Sequence, residues 1–436
     1  MTTFILKFLN SGSGKIINNI IWLFLDKGIK MVLGLVIGVW IARYLGPEQF
    51  GKLNYGQAFI AIFSAFVNLG LDTTLVKEFV TKDHPDNHLL GTGFIMRFLG
   101  ALAAVILALS TSYLLDYNQD QTSFFVIAIL SFSFIFQSID VIDLYLQAHL
   151  KSRISVILKN SAYVLTSLFK IYLLINNYSV FFFALATIID LCLASIFLLV
   201  YTNNRFVTDI KEWTWETAIA KSLLRASWPL IISALTVILY MRIDQIMIKN
   251  LLGSSEVGKY SAAVRITELF FIIPMVITNS VFPSLVRSKN DNYLYKQKLI
   301  KLYGILIYIS LLLSMSIVVF SSPIISLLYG QQYEGAASVL NIHVWSSLFV
   351  FIGVASSQQL VIEGKSTVSL YRTMIGLITN IILNTILIPL FGIQGAAFAT
   401  LVSYATSSFI SNFLFHSTKG ITKLYLKGIF VIRREN

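Results

Sequence analysis

The sequence predicts an all-α integral membrane protein of about twelve transmembrane helices, six in each of two halves. Three observations carry that prediction: a composition too apolar for water, hydrophobic runs of membrane-crossing length, and a repeat that divides the chain near its midpoint. Of 436 residues, 56% are hydrophobic and only 12% charged, whereas a soluble globular chain is about a quarter charged. So small a charged fraction cannot cover a water-facing body of this size. The 33 Phe and 20 Tyr suit a lipid-facing surface with aromatic residues at its edges.

Crossing a bilayer takes about 20 mostly apolar residues. Such runs fall near Asn18–Ala42, Gly56–Val76, Leu89–Leu115, Ser123–Gln147, Ile154–Ile175 and Val180–Tyr201 in the first half. In the second they fall near Leu223–Ile248, Val257–Leu285, Leu299–Phe320, Ala336–Val361, Val368–Leu390 and Gly392–Phe415. Charges or prolines interrupt the first, seventh, eighth and tenth. The apolar stretch after Lys15 is too long for a signal peptide and has no small-residue cleavage site, so the first span is expected to stay in the mature protein.

Lys and Arg set the orientation. With the N-terminus inside, about 20 of them, from Lys7 and Lys15 through Lys151, Arg205, Lys298 and Lys365 to Arg433 and Arg434, flank the cytoplasmic ends of spans. The opposite side holds only Arg43, Lys52, Lys249 and Lys259. Both termini are therefore expected in the cytoplasm. The longest interior loop, Thr202–Ser222, contains Trp213 and Trp215. The expected organisation is an N-terminal bundle over 1–205, a cytoplasmic linker over 206–222, a C-terminal bundle over 223–416 and a basic cytoplasmic tail over 417–436.

The repeat rests on three matches at nearly constant offset. Leu45-Gly46-x4-Gly51-Lys52 recurs as Leu252-Gly253-x4-Gly258-Lys259, Lys151-Ser152-x2-Ser155 as Lys365-Ser366-x2-Ser369, and Ala186-Thr187 as Ala399-Thr400. Six spans per half is an even number, so the halves share one orientation, as in parallel-repeat transporters.

Several function classes are excluded. The net charge of +12 lies in short segments between apolar runs, a loop bias rather than a nucleic-acid surface. The single cysteine, Cys192, offers no disulfide. The two Gly-x4-Gly-Lys stretches lack the Ser or Thr of a phosphate loop, having Leu53 and Tyr260 instead, and lie on the exterior side, so they read as turns. The five His form no metal spacing; His343, alone in the tenth span, reads as a packing residue. A membrane glycosyltransferase or polymerase would be expected to carry a large exterior loop with catalytic acids or arginines.

The ionisable residues inside spans are the informative feature. Lys27, Lys30, Arg97, Lys159, Lys170, Arg225, Arg242, Arg265 and Arg372 stand against Asp26, Asp140, Asp143, Asp190, Asp244 and Glu268. Each costs about 2.5–3.5 kcal/mol at mid-bilayer, so they face protein or a water-filled chamber. Asp26 and Lys30, and Arg265 and Glu268, share helix faces and can pair. Asp140 and Asp143 share a face where two carboxylates bind a proton or a cation. Internal ion pairs, or snorkelling as expected of Arg225, account for single residues. The excess of cations, however, points to a positive cavity for an anionic passenger such as a polyprenyl diphosphate. The candidate substrate-binding residues are Lys27, Lys30, Arg97, Lys159, Lys170, Arg242, Arg265 and Arg372. Amides such as Gln137, Gln358, Asn380 and Asn384 serve helix–helix bonding or sugar hydroxyls equally well. Pro229, Pro274, Pro283, Pro323 and Pro389 are expected to kink or break spans of the second half.

Ala42-Arg43-Tyr44-Leu45-Gly46-Pro47-Glu48-Gln49-Phe50-Gly51 resembles the stretch after the first span in polysaccharide transporters of bacterial surface-sugar gene clusters. Asn380-x3-Asn384-x3-Ile388-Pro389-x2-Gly392, followed by Ala396-Ala397-x-Ala399-Thr400, is similar to the same family's penultimate-helix turn, which multidrug exporters of that superfamily share. The resemblance implies a multidrug-exporter-like fold of two six-helix bundles around a central cavity. It also implies an O-antigen or capsule-unit flippase that moves undecaprenyl-diphosphate-linked oligosaccharide from the cytoplasmic to the periplasmic leaflet of the inner membrane by alternating access. It implies no catalytic residues, no cofactor and no metal. Proton or sodium coupling is implied, with Asp140, Asp143, Asp244 and Glu268 as candidates. Partners would be membrane lipids and the polymerase and glycosyltransferases of the same pathway. Two rivals share the fold: a cation-coupled multidrug exporter, which would want an acidic cavity, and a peptidoglycan lipid-precursor flippase, which resembles longer chains.

Overall fold

The computed structural model describes residues 12–204, 210–415 and 418–431, which are helical with no strand among them. In the first half the helices are α1 (Gly12–Asn68), α2 (Leu71–Thr81), α3 (Asp86–Asp116), α4 (Gln121–Ser131), α5 (Ser133–Gln137), α6 (Val141–Ala148), α7 (Ser152–Ile175) and α8 (Val180–Asn204). In the second they are α9 (Thr217–Leu252), α10 (Ser254–Phe270), α11 (Ile272–Ser288), α12 (Asn292–Tyr329), α13 (Ala336–His343), α14 (Ser346–Ile362), α15 (Ser366–Ala405), α16 (Ser411–Leu414) and α17 (Lys419–Val431). Ten helical stretches among the described residues are long and apolar enough to cross a membrane. Two of them contain a reversal: α1 at Gly46 (φ 69°, ψ 170°) and α15 at Gly392 (φ 61°, ψ −143°). The 57 residues of α1 would span about 85 Å as one rod, against a hydrocarbon core of about 30 Å.

The chain divides into two compact units. The first holds the described residues of Met1–Leu45 with Tyr55–Leu235, and the second Gly46–Asn54 with the described residues of Thr236–Asn436. In each, the distribution of side chains is that of a body immersed in lipid. Along α3 the buried stripe is Gly100, Ala101, Ala104, Ala108 and Ser112, while Leu99, Leu102, Ile106 and Leu114 face outward. Along α12, Gly304, Ser310, Ser314 and Ser321 are buried and Leu312, Val319 and Leu327 are exposed. Small residues let helices approach closely where apolar burial gives no driving force.

The repeat seen in the sequence has a geometric counterpart. Gly253 adopts φ 94° and ψ 174°, the same region as Gly46. Leu150 and Gly364, 214 residues apart, both have positive φ. After each, Lys151 N–H donates to the Leu146 carbonyl at 2.8 Å and Lys365 N–H to the Leu360 carbonyl at 2.7 Å, and the next helix begins at Ser152 or Ser366. Both turns thus close with the six-to-one bond of a helix-terminating αL loop.

The structure redraws several expected boundaries. The second span ends at Asn68 and turns through Leu69 and Gly70, both at positive φ, before α2. The fourth is broken into α4, α5, a 3-10 turn over Ser138–Asp140 and α6, and the tenth divides at Val344–Trp345. Pro229, Pro283 and Pro323 lie within helices that run on past them; of the expected kinks, Pro274 follows the α10–α11 junction and Pro389 precedes Gly392. The segment expected as linker docks on the first unit. Trp213 stacks near Phe94 with ring centroids 5.8 Å apart, Thr92 Oγ1 accepts from Glu216 N–H at 3.0 Å, and α9 begins at Thr217. In the expected basic tail, α17 lies against α12, where Tyr303 and Tyr425 meet edge to face at 4.6 Å. Lys7, Arg205, His416, Arg433 and Arg434 lie outside the described residues.

Candidate functional site

In the first unit the ionisable groups of the spans form short, largely self-neutralising clusters. Asp26 and Lys30, one turn apart on α1, pair at 2.9 Å as their spacing predicts, and Asn160 of α7 donates to Asp26 at 2.8 Å. Lys159 lies between the two carboxylates of the next cluster, 2.7 Å from Asp140 and 2.8 Å from Asp143; Ser155 and Gln147 also donate to Asp143. The cation those acids hold is therefore the protein's own ammonium group. Lys170 lies 5.8 Å from the centre of the Tyr163 ring, and Asp190 accepts from Thr166 at 3.2 Å. Arg97, only 1% exposed, pairs with Asp72, which is 58% exposed. Lys27 is exposed.

In the second unit the expected Arg265–Glu268 pair does not form. Glu268 accepts from Arg242 of α9 at 3.4 Å instead. Spacing on one helix shows which side chains share a face, but a neighbouring helix can compete for the partner. Half-buried Arg265 has no carboxylate within ion-pair distance among the described residues.

Asp244 differs from every other acid of the spans. It is 5% exposed and receives three hydrogen bonds: from Thr400 Oγ1 at 2.6 Å, Tyr260 hydroxyl at 2.7 Å and Asn384 Nδ2 at 2.7 Å. Asn384 Nδ2 also donates to Asn380 Oδ1 at 2.9 Å, while Asn384 Oδ1 is buried without a partner. No basic group reaches Asp244 among the described residues. A carboxylate, two hydroxyls and two amides from α9, α10 and α15 thus converge in a buried, all-oxygen and amide environment. Its orphaned acceptor and uncompensated carboxylate fit a proton or a hard monovalent cation.

Arg372 is 3% exposed and has no carboxylate within ion-pair distance among the described residues. Its Nε donates to the Ser407 carbonyl at 2.9 Å, and its Nη2 to the Ser408 carbonyl and Ser356 Oγ, both at 3.0 Å. Those carbonyls are available because the helix widens into a π turn over Thr406–Ile410, where Ser411 N–H reaches back to Thr406. Arg372 lines a cavity of 610 Å³ within the second unit.

The eight candidate cations thus divide. Lys27, Lys30, Arg97, Lys159 and Lys170 belong to the first unit and Arg242, Arg265 and Arg372 to the second. Lys30, Arg97, Lys159 and Arg242 are ion-paired. Asp116, which the sequence reading placed just beyond a span, is buried and accepts from Tyr55 at 3.0 Å and Ser112 at 3.1 Å. Tyr55 and Asp116 are 61 residues apart, so no local pattern reveals the contact.

These features define a polytopic membrane protein with the fold of a known transporter superfamily. An inward-facing MATE family multidrug resistance transporter of the MOP superfamily superposes with a TM-score of 0.74, covering 94% of this chain and 98% of that one at 16% identity. Residues 40–338 match the family described as polysaccharide biosynthesis protein, and the chain belongs to that family. The motif at 42–51 lies inside the matched residues and the one at 380–400 beyond them. Among relatives, the probable low-salt glycan biosynthesis flippase Agl15 of Haloferax volcanii is 28% identical over 229 residues, which are 51% of this chain and 47% of that protein. The chain therefore spans about half the length of this relative. The capsular polysaccharide biosynthesis protein CapF of Staphylococcus aureus is 22% identical over 400 residues, 89% of this chain and 98% of CapF.

Proposed function

We propose that the protein is a flippase that carries a polyprenyl-diphosphate-linked oligosaccharide, an O-antigen or capsule repeat unit, across a bacterial inner membrane by alternating access. In this reading the chain crosses about twelve times with both termini in the cytoplasm, which the excess of Lys and Arg at one set of span ends supports. The observation that carries the reading is uneven charge compensation. The acids of the spans mostly meet a base, whereas Lys27 and Arg265 have no carboxylate within ion-pair distance among the described residues. Cations left uncompensated in membrane segments favour an anionic passenger, and disfavour the organic cations of a multidrug exporter. The names of Agl15 and CapF support a glycan-related substrate. Transport is driven by a proton or sodium ion at Asp244, a buried acid that no base reaches among the described residues; Asp140 and Asp143 are neutralised by Lys159 and Glu268 by Arg242.

The test is reconstitution. Proteoliposomes holding a polyprenyl-diphosphate oligosaccharide in both leaflets are exposed to a membrane-impermeant glycosidase. Cleavage of nearly all the substrate, against about half in protein-free vesicles, is the expected result. Half-cleavage in both would overturn the assignment.

A further inference from the structure

The repeat offset of 214 residues identifies what the second unit puts in place of the first unit's Asp140–Asp143–Lys159 cluster. Adding 214 to Asp140, Asp143, Ser155 and Lys159 gives Val354, Ser357, Ser369 and Thr373. The correspondence holds in detail: Ser155 donates to Asp143, and Ser369 donates to Ser357 at 3.1 Å. Both carboxylates and the lysine are gone, and all four replacements line the 610 Å³ cavity. One cation has appeared beside them, Arg372, at the position equivalent to Leu158.

The local charge balance has therefore reversed. Two acids and one base in the first unit become a lone guanidinium in the second. Arg372 donates from Nε and Nη2 to neutral oxygens, and its Nη1 is buried with no acceptor among the described residues. The Tyr240 hydroxyl, also on the cavity wall, is buried without a partner as well. A buried charge persists when paired or fully hydrogen-bonded, and the two acids that neutralise Lys159 in the first unit are replaced here by Val354 and Ser357. Much of the remaining wall is apolar, including Val237, Met241, Phe271 and Met275, with Asn279 and Gln358 among its polar members, and the volume is in the range of small-molecule sites.

We propose that this cavity binds an anionic amphiphile, a lipid-like molecule whose phosphate or carboxylate takes the free face of Arg372 while its hydrocarbon segment lies along the apolar wall. Ser357, whose hydroxyl oxygen accepts from Ser369, supplies a further hydroxyl donor to the acid group. The site concerns binding within the second unit and stands whether or not the protein is a flippase. Two sources share this chemistry: an ordinary anionic membrane lipid and a phosphorylated polyprenyl carrier.

The experiment uses the full chain in a neutral detergent and three twelve-carbon probes: dodecyl phosphate, neutral dodecyl maltoside and cationic dodecyltrimethylammonium. Thermal unfolding is followed by intrinsic fluorescence. Dodecyl phosphate is expected to raise the midpoint by several degrees, and Arg372→Gln to abolish that rise. Ser357→Asp restores the carboxylate at the position of Asp143, so it should neutralise Arg372 internally and also abolish the response. It decides the matter if Arg372→Gln does not fold. A rise that persists in the variants, or equal rises with the cationic probe, would overturn the proposal. Competition with phosphatidic acid and with polyprenyl phosphate then identifies the source. Stronger displacement by either supports the site, and displacement by neither removes it.

Discussion

Gly51 and Gly258 lie directly against one another: a Cβ on Gly51 would stand 2.9 Å from the Gly258 nitrogen and 1.8 Å from the Ser254 carbonyl oxygen. The relation is reciprocal, since a Cβ on Gly258 would stand 2.0 Å from the Pro47 carbonyl oxygen. Pro47 and Ser254 each follow the reversing glycine of their own repeat. Two copies of one turn therefore pack face to face inside the second unit, each using its second glycine as the contact point. This gives the Gly-x4-Gly spacing a physical meaning: the first glycine reverses the chain and the last lets another backbone approach.

Gly258→Val is accordingly expected to displace backbone rather than a pliable side chain, at a cost of about 1–3 kcal/mol or more. The yield of monodisperse protein and its unfolding midpoint should both fall. Gly420→Ala in α17, where an added Cβ meets nothing within 4 Å, is the control and should leave both unchanged. Equal behaviour of the two variants would discredit close packing as the reason for Gly258.

Lys159 separates a structural role from a substrate-binding one. Lys159, Asp140 and Asp143 are half-buried, so removing the shared cation costs less than the about 3–5 kcal/mol of a fully buried pair. Lys159→Met should still destabilise, leaving Asp140 and Asp143 without a cation between them. The triple variant Lys159→Met, Asp140→Asn, Asp143→Asn should recover most of the loss, and the unfolding midpoint reports it. If the single and triple variants unfold together, Lys159 is not there to neutralise those acids.

The sequence carried the architecture because lipid imposes strict rules: spans must be long, apolar and internally hydrogen-bonded, and a repeated Leu-Gly-x4-Gly-Lys is visible without coordinates. It did not carry partner choice. Arg265 and Glu268 share a face, yet Arg242 arrives from α9 and takes the glutamate. Tyr260 drew attention only as the residue that spoils a phosphate loop, whereas its hydroxyl binds Asp244 at 2.7 Å. The Asn380, Asn384 and Thr400 positions are visible as a motif, but the convergence of Asn384 and Thr400 on an aspartate 140 or more residues away is a property of the folded unit. The α4–α6 breaks were hidden because an apolar run looks the same whether its helix is straight or kinked.

Arg265 and Lys27 should behave unlike the paired cations. Arg265→Gln and Lys27→Gln leave no acid stranded, so their unfolding free energies should stay within about 0.5 kcal/mol of the parent, as substitutions away from structural features do. Flipping rates should fall at least fivefold if these groups meet the anionic headgroup. Arg97→Gln, by contrast, empties a buried site and should lower stability first. The pair of readouts is decisive: unchanged flipping in both Arg265→Gln and Lys27→Gln would remove them from the substrate path.

Asp244 is the position where chemistry and stability part company. Asp244→Asn is nearly isosteric and keeps groups for hydrogen bonding to Tyr260, Thr400 and Asn384, while it removes a buried charge that no base offsets among the described residues. The variant is therefore expected to fold with an equal or higher midpoint, yet to lose at least tenfold in flipping driven by an ion gradient. Thr400→Val removes one donor, a hydrogen bond to a charged group worth about 1.5–3 kcal/mol; it should shift the cation concentration giving half-maximal rate rather than abolish transport. Rates measured against sodium at fixed pH, and against pH at fixed sodium, identify the ion: the parent should respond to one series and Asp244→Asn to neither. Asp244→Asn that transports with the parent's ion dependence would place the coupling site elsewhere.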